Sequence, residues 1–118
     1  MTPVVILTTF DGSFDPAPVA RDLVDRKLAA CVNIVEKVRS IYRWKGSVQD
    51  EREHLLIIKT VEEKVVPLRD ALFAQHPNEV PEFIVVRVDD TSAAYRQWLI
   101  HGTESNRRSS SRGGESDP

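Results

Sequence analysis

Two residues in the sequence, Cys31 and His76, are of the types that bind soft or borderline metal ions. A thiolate binds Cu(I), and a neutral imidazole nitrogen binds most transition metals. Each residue also has a structural alternative. Cys31 follows two alanines, which favours a small buried packing residue, and His76 follows a helical pattern whose terminal carbonyls an imidazolium can cap. These residues therefore predict a weak metal site or two structural roles.

A second group of side chains could form a ligand-binding cleft. The strongest polar candidates are Glu51, Glu53, Lys59 and Glu82. If their strands lie near each other, Lys59 and Glu82 would share a cleft with Trp44 or Trp98 at a subunit boundary. Such a cleft would bind a small anion or metabolite. The alternative is an ordinary surface or interface salt bridge.

Motifs of the common enzyme classes are absent from the sequence. It contains no glycine-rich phosphate loop, no CxxC or HExxH, and no spacing that identifies a Ser-His-Asp or Cys-His arrangement. The sequence therefore predicts a protein that is not an enzyme.

The elements that position these residues follow from hydrophobic periodicity and turn signals, and their order is β-α-β-β-α-β-α. The predicted elements are strand Val4–Phe10, a helix after Asp15–Pro16, strand 31–44, a turn at 45–47, strand Glu53–Thr60, helix Glu63–Gln75, strand Glu82–Val88, and a last helix capped by Asp90 or Thr91. This order predicts an α+β, ferredoxin-like plait (βαββαβ plus a C-terminal helix) with an antiparallel sheet and a long hairpin. We expect one domain over residues 1–101 and a disordered Ser/Arg/Gly-rich tail over 102–118.

The predicted strands are apolar at both alternating positions, as in VVIL, LLII and FIVV. The two crossover helices can cover only one face of the sheet, so the other face would be an exposed apolar patch in a monomer. This pattern predicts a homo-oligomer with its open faces buried. Tyr42 and Trp44, two positions apart on the hairpin, are the predicted interface anchors.

Composition and charge narrow the function classes. The chain has 118 residues, 16 basic and 18 acidic, for a net charge of −2. This balance argues against binding to nucleic acid or to an anionic membrane surface. The single cysteine, and a start without a basic, apolar leader, predict a cytoplasmic protein.

Four segments give the chain a resemblance to the CutA family, over about residues 3 to 101. They are LVDRKLAACVNIV, SIYRWKGSVQDEREHLLIIKT, HPNEVPEFI and YRQWL. The resemblance implies a ferredoxin-like fold, a stable homotrimer built through the sheets and long hairpins, and an architectural likeness to PII signalling proteins. It also implies a role in divalent-cation tolerance. Copper ligands described for some members fall on Thr8, Gln75 and His76, and only His76 keeps the family's residue type.

The residues and the resemblance together predict a trimeric protein of divalent metal (copper) tolerance. It would bind copper, another divalent cation or a small ligand weakly at subunit boundaries. Two alternatives remain open. The first is a PII-like signalling or assembly module without a metal function, and the second is an enzyme that uses Cys31 or His76 with Glu82.

Overall fold

One four-stranded antiparallel sheet organises the chain, whose computed structural model describes residues 1–104. The elements are β1 (Pro3–Asp11), α1 (Ala17–Asp25), β2 (Cys31–Trp44), β3 (Ser47–Val61), α2 (Val65–Phe73), β4 (Ile84–Arg87) and α3 (Ala93–Gly102), with a short 3-10 turn, Glu62–Lys64, before α2. The predicted α+β class and element order are confirmed. None of the helices in residues 1–104 is long and apolar enough to cross a membrane.

The strand order is β2-β3-β1-β4, so β1 and β3 are central. Successive side chains of a strand point to opposite faces. On one face, Ile6 pairs with Ile58 and Val85, and this face packs against α1 and α2. The buried core there consists of Ile6, Phe10, Val19, Leu23, Leu28, Ala29, Leu56, Ile58, Leu68, Ala71 and Leu72.

The opposite side of the sheet, which we call the open face, is also apolar. Its paired rows include Val5 with Val86 and Leu7 with Ile57 and Ile84. Its apolar members are Val5, Leu7, Val35, Leu55, Ile57, Ile84 and Val86. Ile84 and Val86 are 48% and 45% exposed. The prediction that both faces are apolar is therefore confirmed, and the chain alone leaves one of them accessible to water.

A long hairpin extends from the sheet. A β-bulge between Val35 and Val38 interrupts the pairing of β2 with β3. We call residues 38–53 the outer hairpin. Its tip is a two-residue turn, in which Lys45 and Gly46 have φ angles of 49° and 84°, as two-residue hairpin turns require. Strand β3 begins at Ser47, earlier than the predicted start at Glu53. The sequence pattern does not reveal this first part of the strand, because the run 49–54 is polar.

Several predicted boundaries are corrected. Helix α3 is capped by Ser92, whose Oγ accepts from the Tyr95 amide at 3.3 Å, so the predicted caps Asp90 and Thr91 are wrong. Helix α3 runs through Gly102, and the next residue, Thr103, is buried, with its hydroxyl 3.0 Å from the Ile100 carbonyl oxygen. The order therefore continues past residue 101, and the rest of the predicted tail, 105–118, lies outside the described residues.

The other element ends also differ from the sequence pattern. Helix α2 is Val65–Phe73, shorter than the predicted 63–75, because the 3-10 turn takes its first residues and Pro67 lies in its first turn. Strand β4 is Ile84–Arg87, shorter than predicted, since only these residues pair with β1.

Candidate functional site

A pocket of about 600 Å³ opens where the outer hairpin, the end of β1 and the loop before β4 meet. It is lined by Thr9, Asp11, Ser40, Tyr42, Trp44, Glu51, Glu53, Asn78, Glu79, Val80, Pro81 and Glu82. We call it the acidic pocket, since five of these residues carry a carboxylate and none is a lysine or arginine.

The strand register explains how these side chains come together. Ser40 pairs with Glu51, and Trp44 pairs with Ser47, so alternate residues of β2 and β3 share one side of the outer hairpin. On β3 the same alternation places Glu51 and Glu53 on the side of Leu55 and Ile57. The acidic pocket is therefore a continuation of the open face.

Hydrogen bonds fix part of the wall. The Tyr42 hydroxyl donates to Glu51 Oε1 at 2.9 Å, and this bond raises the pKa of Tyr42. The Ser13 side chain and amide both donate to Asp11, which lowers the pKa of that carboxyl. Lys45 lies at the rim, with its Nζ 3.8 Å from Glu79 Oε1 and 5.6 Å from the centre of the Trp44 ring.

Glu82 shows the electrostatic character of the acidic pocket. Its pKa is raised first by burial and then by the nearby charge of Glu53, while a hydrogen bond with Thr9 acts in the opposite direction. Two like charges in one site disfavour each other, so a second carboxylate raises the pKa of the first. The pocket therefore has a negative potential that attracts cations and disfavours anions.

The four residues of the predicted cleft do not meet within one chain. Trp44 and Glu82 both line the acidic pocket. Lys59 lies on the open face, where it pairs with Val5 and Cys31, well along β3 from the pocket residue Glu53. Trp98 lies on α3 and contacts Tyr95, with ring centres 5.4 Å apart. The chain by itself therefore does not form the predicted cleft, and its pocket does not suit the anion that we expected.

His76 is held by the backbone through both ring nitrogens. Its Nε2 lies 2.9 Å from the Thr9 carbonyl oxygen, and its Nδ1 accepts from the Asn78 amide at 3.1 Å. The proton is therefore on Nε2, and no ring lone pair is free for a metal. The ring stacks on Phe10 at 4.1 Å, and burial lowers its pKa. In this arrangement both ring nitrogens of His76 bond to backbone groups outside α2, so its role as a metal ligand or as a helix cap stays a prediction that this geometry does not support.

Cys31 is half-buried on the open face beside Lys59. Its Sγ lies 3.9 Å from the Asn33 side-chain oxygen, the contact of a weak donor. It is a free thiol, and β3 and β1 separate it from His76, which bonds to β1. Within residues 1–104, no group of three or more His, Cys, Asp or Glu side chains has an arrangement that could hold a metal ion.

His54 is a buried residue that is not among the site residues predicted from the sequence, because its spacing to the other histidines is not that of a ligand pair. It is 8% exposed and bonds to the backbone at Lys37 and at Gly12. Its sequence context, a histidine beside charged residues at a strand start, is also typical of a solvent-exposed side chain. The pairing of His54 with Phe10, which places it on the helix-facing side, is visible only in the register.

The comparison with known families identifies the chain. Residues 4–101 match the family described as "CutA1 divalent ion tolerance protein". The chain belongs to the CutA1 family. A divalent-cation tolerance protein CutA of Thermus thermophilus is 37% identical over 99 residues, which are 84% of this chain and 96% of that protein.

Solved CutA1 structures have the same fold. The Thermus thermophilus Cut A1 structure superposes with a TM-score of 0.82 at 36% identity, over 86% of this chain and 99% of that one. The human protein CutA is 41% identical over 87 residues, 74% of this chain and 49% of that protein, and the chloroplastic CutA of Arabidopsis thaliana is 39% identical over 100 residues, 85% and 55%. The chain thus spans about half the length of these two relatives.

Proposed function

We propose that the chain acts in divalent-cation tolerance as a non-enzymatic homotrimer that binds cations weakly at its subunit boundaries. The role in divalent-cation tolerance follows from membership of the CutA1 family. The strand order β2-β3-β1-β4 with two crossover helices supports a ferredoxin-like plait. Location in the cytoplasm stays a prediction from the sequence.

The observation that supports assembly is the open face. Removing about 500 Å² of such apolar surface from water contributes on the order of 12 kcal/mol before association costs. The unpaired edges of the outer hairpin need partners as well, since exposed strand edges promote unspecific pairing. A closed homotrimer satisfies both requirements at once, because each copy in a closed ring has a neighbour on both sides.

The observation that supports weak cation binding is the charge of the acidic pocket. Its carboxylates are spread around the walls and not gathered on one point, so they attract hydrated cations without fixing a ligand set. Because the pocket continues the open face, assembly would place it at a subunit boundary.

Copper is a poor fit to the residues at the family's copper positions. His76 has both ring nitrogens bonded to the backbone. The Thr8 hydroxyl is buried, with no hydrogen-bond partner among the described residues, and Gln75 donates to Asp22 and to the Ala71 carbonyl oxygen. Oxygen ligands suit hard cations such as Mg²⁺, Ca²⁺ and Mn²⁺ better than copper. We therefore propose a preference for these hard cations.

Calorimetric titration with Mn²⁺, Ca²⁺, Cu²⁺, Zn²⁺ and Cd²⁺ tests this proposal. We expect weak, salt-sensitive binding that is lost in a Glu79→Gln/Glu82→Gln variant. A matched control, Asp25→Asn/Glu63→Gln, changes two exposed carboxylates outside the acidic pocket and should bind as the unmodified chain does. Absence of heat, together with an unchanged melting temperature for every cation, would refute cation binding.

PII-like small-molecule signalling is the second candidate. The volume of the acidic pocket and its aromatic walls, Tyr42 and Trp44, suit an organic ligand as well as an ion. A small amine would use the carboxylates and a cation–π contact with Trp44. Mass spectrometry of small molecules released from the purified protein distinguishes the candidates, since only this one predicts a retained organic compound.

An enzymatic role has less support. Both His54 and His76 use their two ring nitrogens for backbone hydrogen bonds, so neither is free to act as a base. The Cys31 thiol contacts the side-chain oxygen of Asn33, and an amide cannot deprotonate a thiol. A Cys31→Ser variant unchanged in every activity assay would count against an enzyme that uses this thiol.

A further inference from the structure

We propose that His54 forms a pH-sensitive link, which we call the clasp. Its hydrogen bonds fix the direction of the outer hairpin while the ring is neutral, and the hairpin is released when the ring is protonated. The inference goes beyond the proposed function and does not depend on it. A chain that binds no cation and stays monomeric would still contain the clasp.

The clasp consists of two hydrogen bonds to one buried ring. His54 Nδ1 accepts from the Lys37 backbone amide at 3.2 Å, and His54 Nε2 lies 3.0 Å from the Gly12 carbonyl oxygen. An amide can only donate and a carbonyl can only accept, so Nδ1 must be bare and Nε2 must carry the proton. Only the neutral ring, in this one tautomer, satisfies both partners.

The first partner lies where the outer hairpin leaves the sheet. Lys37 is in the β-bulge between Val35 and Val38, and its φ of 60° is in the left-handed region, which a lysine seldom adopts. A bulge of this kind bends its strand. The bond from His54 therefore supports the residue at the bend, where the backbone is under strain.

The second partner belongs to the turn after β1. The Gly12 amide donates to the Arg52 carbonyl oxygen at 3.0 Å, and a Cβ at Gly12 would lie 2.8 Å from that same oxygen. This turn is therefore packed closely against β3. One imidazole ring thus ties the turn after β1 to the bulge of β2. Asp11, which adjoins Gly12, lines the acidic pocket, and so does Ser40, three residues beyond Lys37 on β2.

Protonation removes one tie directly. A proton on Nδ1 would face the Lys37 amide hydrogen, so that two donors oppose each other and the amide loses its acceptor. The bond to Gly12 survives, because Nε2 still donates. The expected movement is therefore at the bulge, and it changes the direction of the outer hairpin and the width of the acidic pocket.

The charged residues nearest to His54 and its partners in sequence and strand register are Asp11 on β1, Glu36 and Lys37 on β2, and Arg52 and Glu53 on β3, and His76 stacks on Phe10, the strand partner of His54. Asp11 interacts electrostatically with His54 and would give the imidazolium a counter-charge. Histidine is the side chain that ordinarily changes charge between about pH 5 and 8. Opening of the clasp therefore requires protonation of the His54 ring.

Hydrogen exchange of the Lys37 amide, followed by NMR from about pH 8 to about pH 5, tests the clasp. After correction for the intrinsic exchange rate, we expect protection to fall about tenfold per pH unit once the ring is protonated, because only the neutral form holds the amide. The Ala74 amide at the C-terminal end of α2, which donates to the Asp70 carbonyl oxygen, should show no such change. Constant protection of Lys37 over the whole range would overturn the proposal.

Variants separate His54 from the other histidines. His76→Gln and His101→Gln should keep the pH-dependent loss of Lys37 protection, and His54→Gln should abolish its pH dependence. Loss of the effect in His76→Gln would overturn the assignment to His54. If His54→Gln does not fold, the ring nitrogen resonances of the unmodified chain decide. They must show the Nε2–H tautomer at high pH, and the midpoint of their titration must coincide with the midpoint of Lys37 protection. Two different midpoints would refute the clasp.

Discussion

Ile57 and Ile58 are neighbours on β3 that face opposite sides of the sheet, which makes them a matched pair for testing assembly. Ile58 is fully buried in the core and pairs with Ile6. Ile57 is half-buried on the open face and pairs with Leu7. The same substitution, isoleucine to alanine, therefore probes the core at one position and the proposed subunit contact at the next.

The two substitutions should affect different quantities, the free energy of unfolding for Ile58→Ala and the association of subunits for Ile57→Ala. Ile58→Ala removes packed core atoms and should lower the free energy of unfolding by about 2 to 5 kcal/mol. Ile57→Ala removes about three carbons, worth about 2.4 kcal/mol at ~0.8 kcal/mol per carbon, and assembly buries only the half of that surface that the single chain leaves exposed, which is about 1.2 kcal/mol per chain. A trimer of the proposed kind contains three copies, so its association should weaken by about 3.6 kcal/mol, a factor on the order of 10² to 10³.

Sedimentation equilibrium over a range of protein concentrations measures the association, and thermal unfolding measures stability. Ile57→Ala should dissociate at concentrations where the unmodified chain and Ile58→Ala remain assembled. Its melting temperature should also depend more strongly on concentration. If Ile57→Ala stays assembled at every concentration while losing as much stability as Ile58→Ala, then the chain itself buries the open face, and the reasoning fails.

Three further substitutions follow from local geometry. Glu82→Gln should raise the free energy of unfolding by less than about 1 kcal/mol at neutral pH, because it removes repulsion from Glu53 in a partly solvated site. The raised pKa of Glu82 means that this gain exists above the folded-state pKa and disappears as pH falls below about 4, where both states are protonated. Thermal unfolding at both pH values checks this, and an equal gain at both would contradict it. Lys45→Asn should raise the free energy of unfolding by about 0.5 kcal/mol, and with it the melting temperature, since asparagine tolerates the left-handed φ of 49° better than lysine, and a lower melting temperature would count against it. Trp44→Ala should weaken assembly in sedimentation more than it lowers stability in unfolding, and the reverse order would place Trp44 outside any subunit contact.

The backbone arrangement was largely predictable because it depends on patterns of apolar residues and on turn residues. The alternation in VVIL and LLII identified the central strands and their two apolar faces, and Lys45–Gly46 identified the hairpin turn. The outer part of β3, residues 47–52, was missed, because most of it, Gln49 to Arg52, is polar on both sides. Only the pairing with β2 shows that they form a strand.

The candidate site was less predictable, because side-chain roles depend on contacts between distant segments. The sequence placed Glu82 and Trp44 in one cleft, as the structure does, but also assigned Lys59 to it. The distance between Lys59 and Glu82 depends on the register of β3 against β1, which periodicity does not determine. His76 looked available as a ligand because nothing in the sequence reveals that Thr9 and Asn78 occupy its nitrogens.

The outer hairpin also affects how readily proteases degrade chains that have not assembled. Beyond the bulge it is a two-stranded ribbon, which is marginally stable by itself in water. A newly made, solitary subunit would therefore present a fraying segment to proteases, since cleavage follows local opening. In the proposed trimer neighbouring copies would bury that segment and slow its degradation, so the lifetime of the polypeptide would rise with its own abundance.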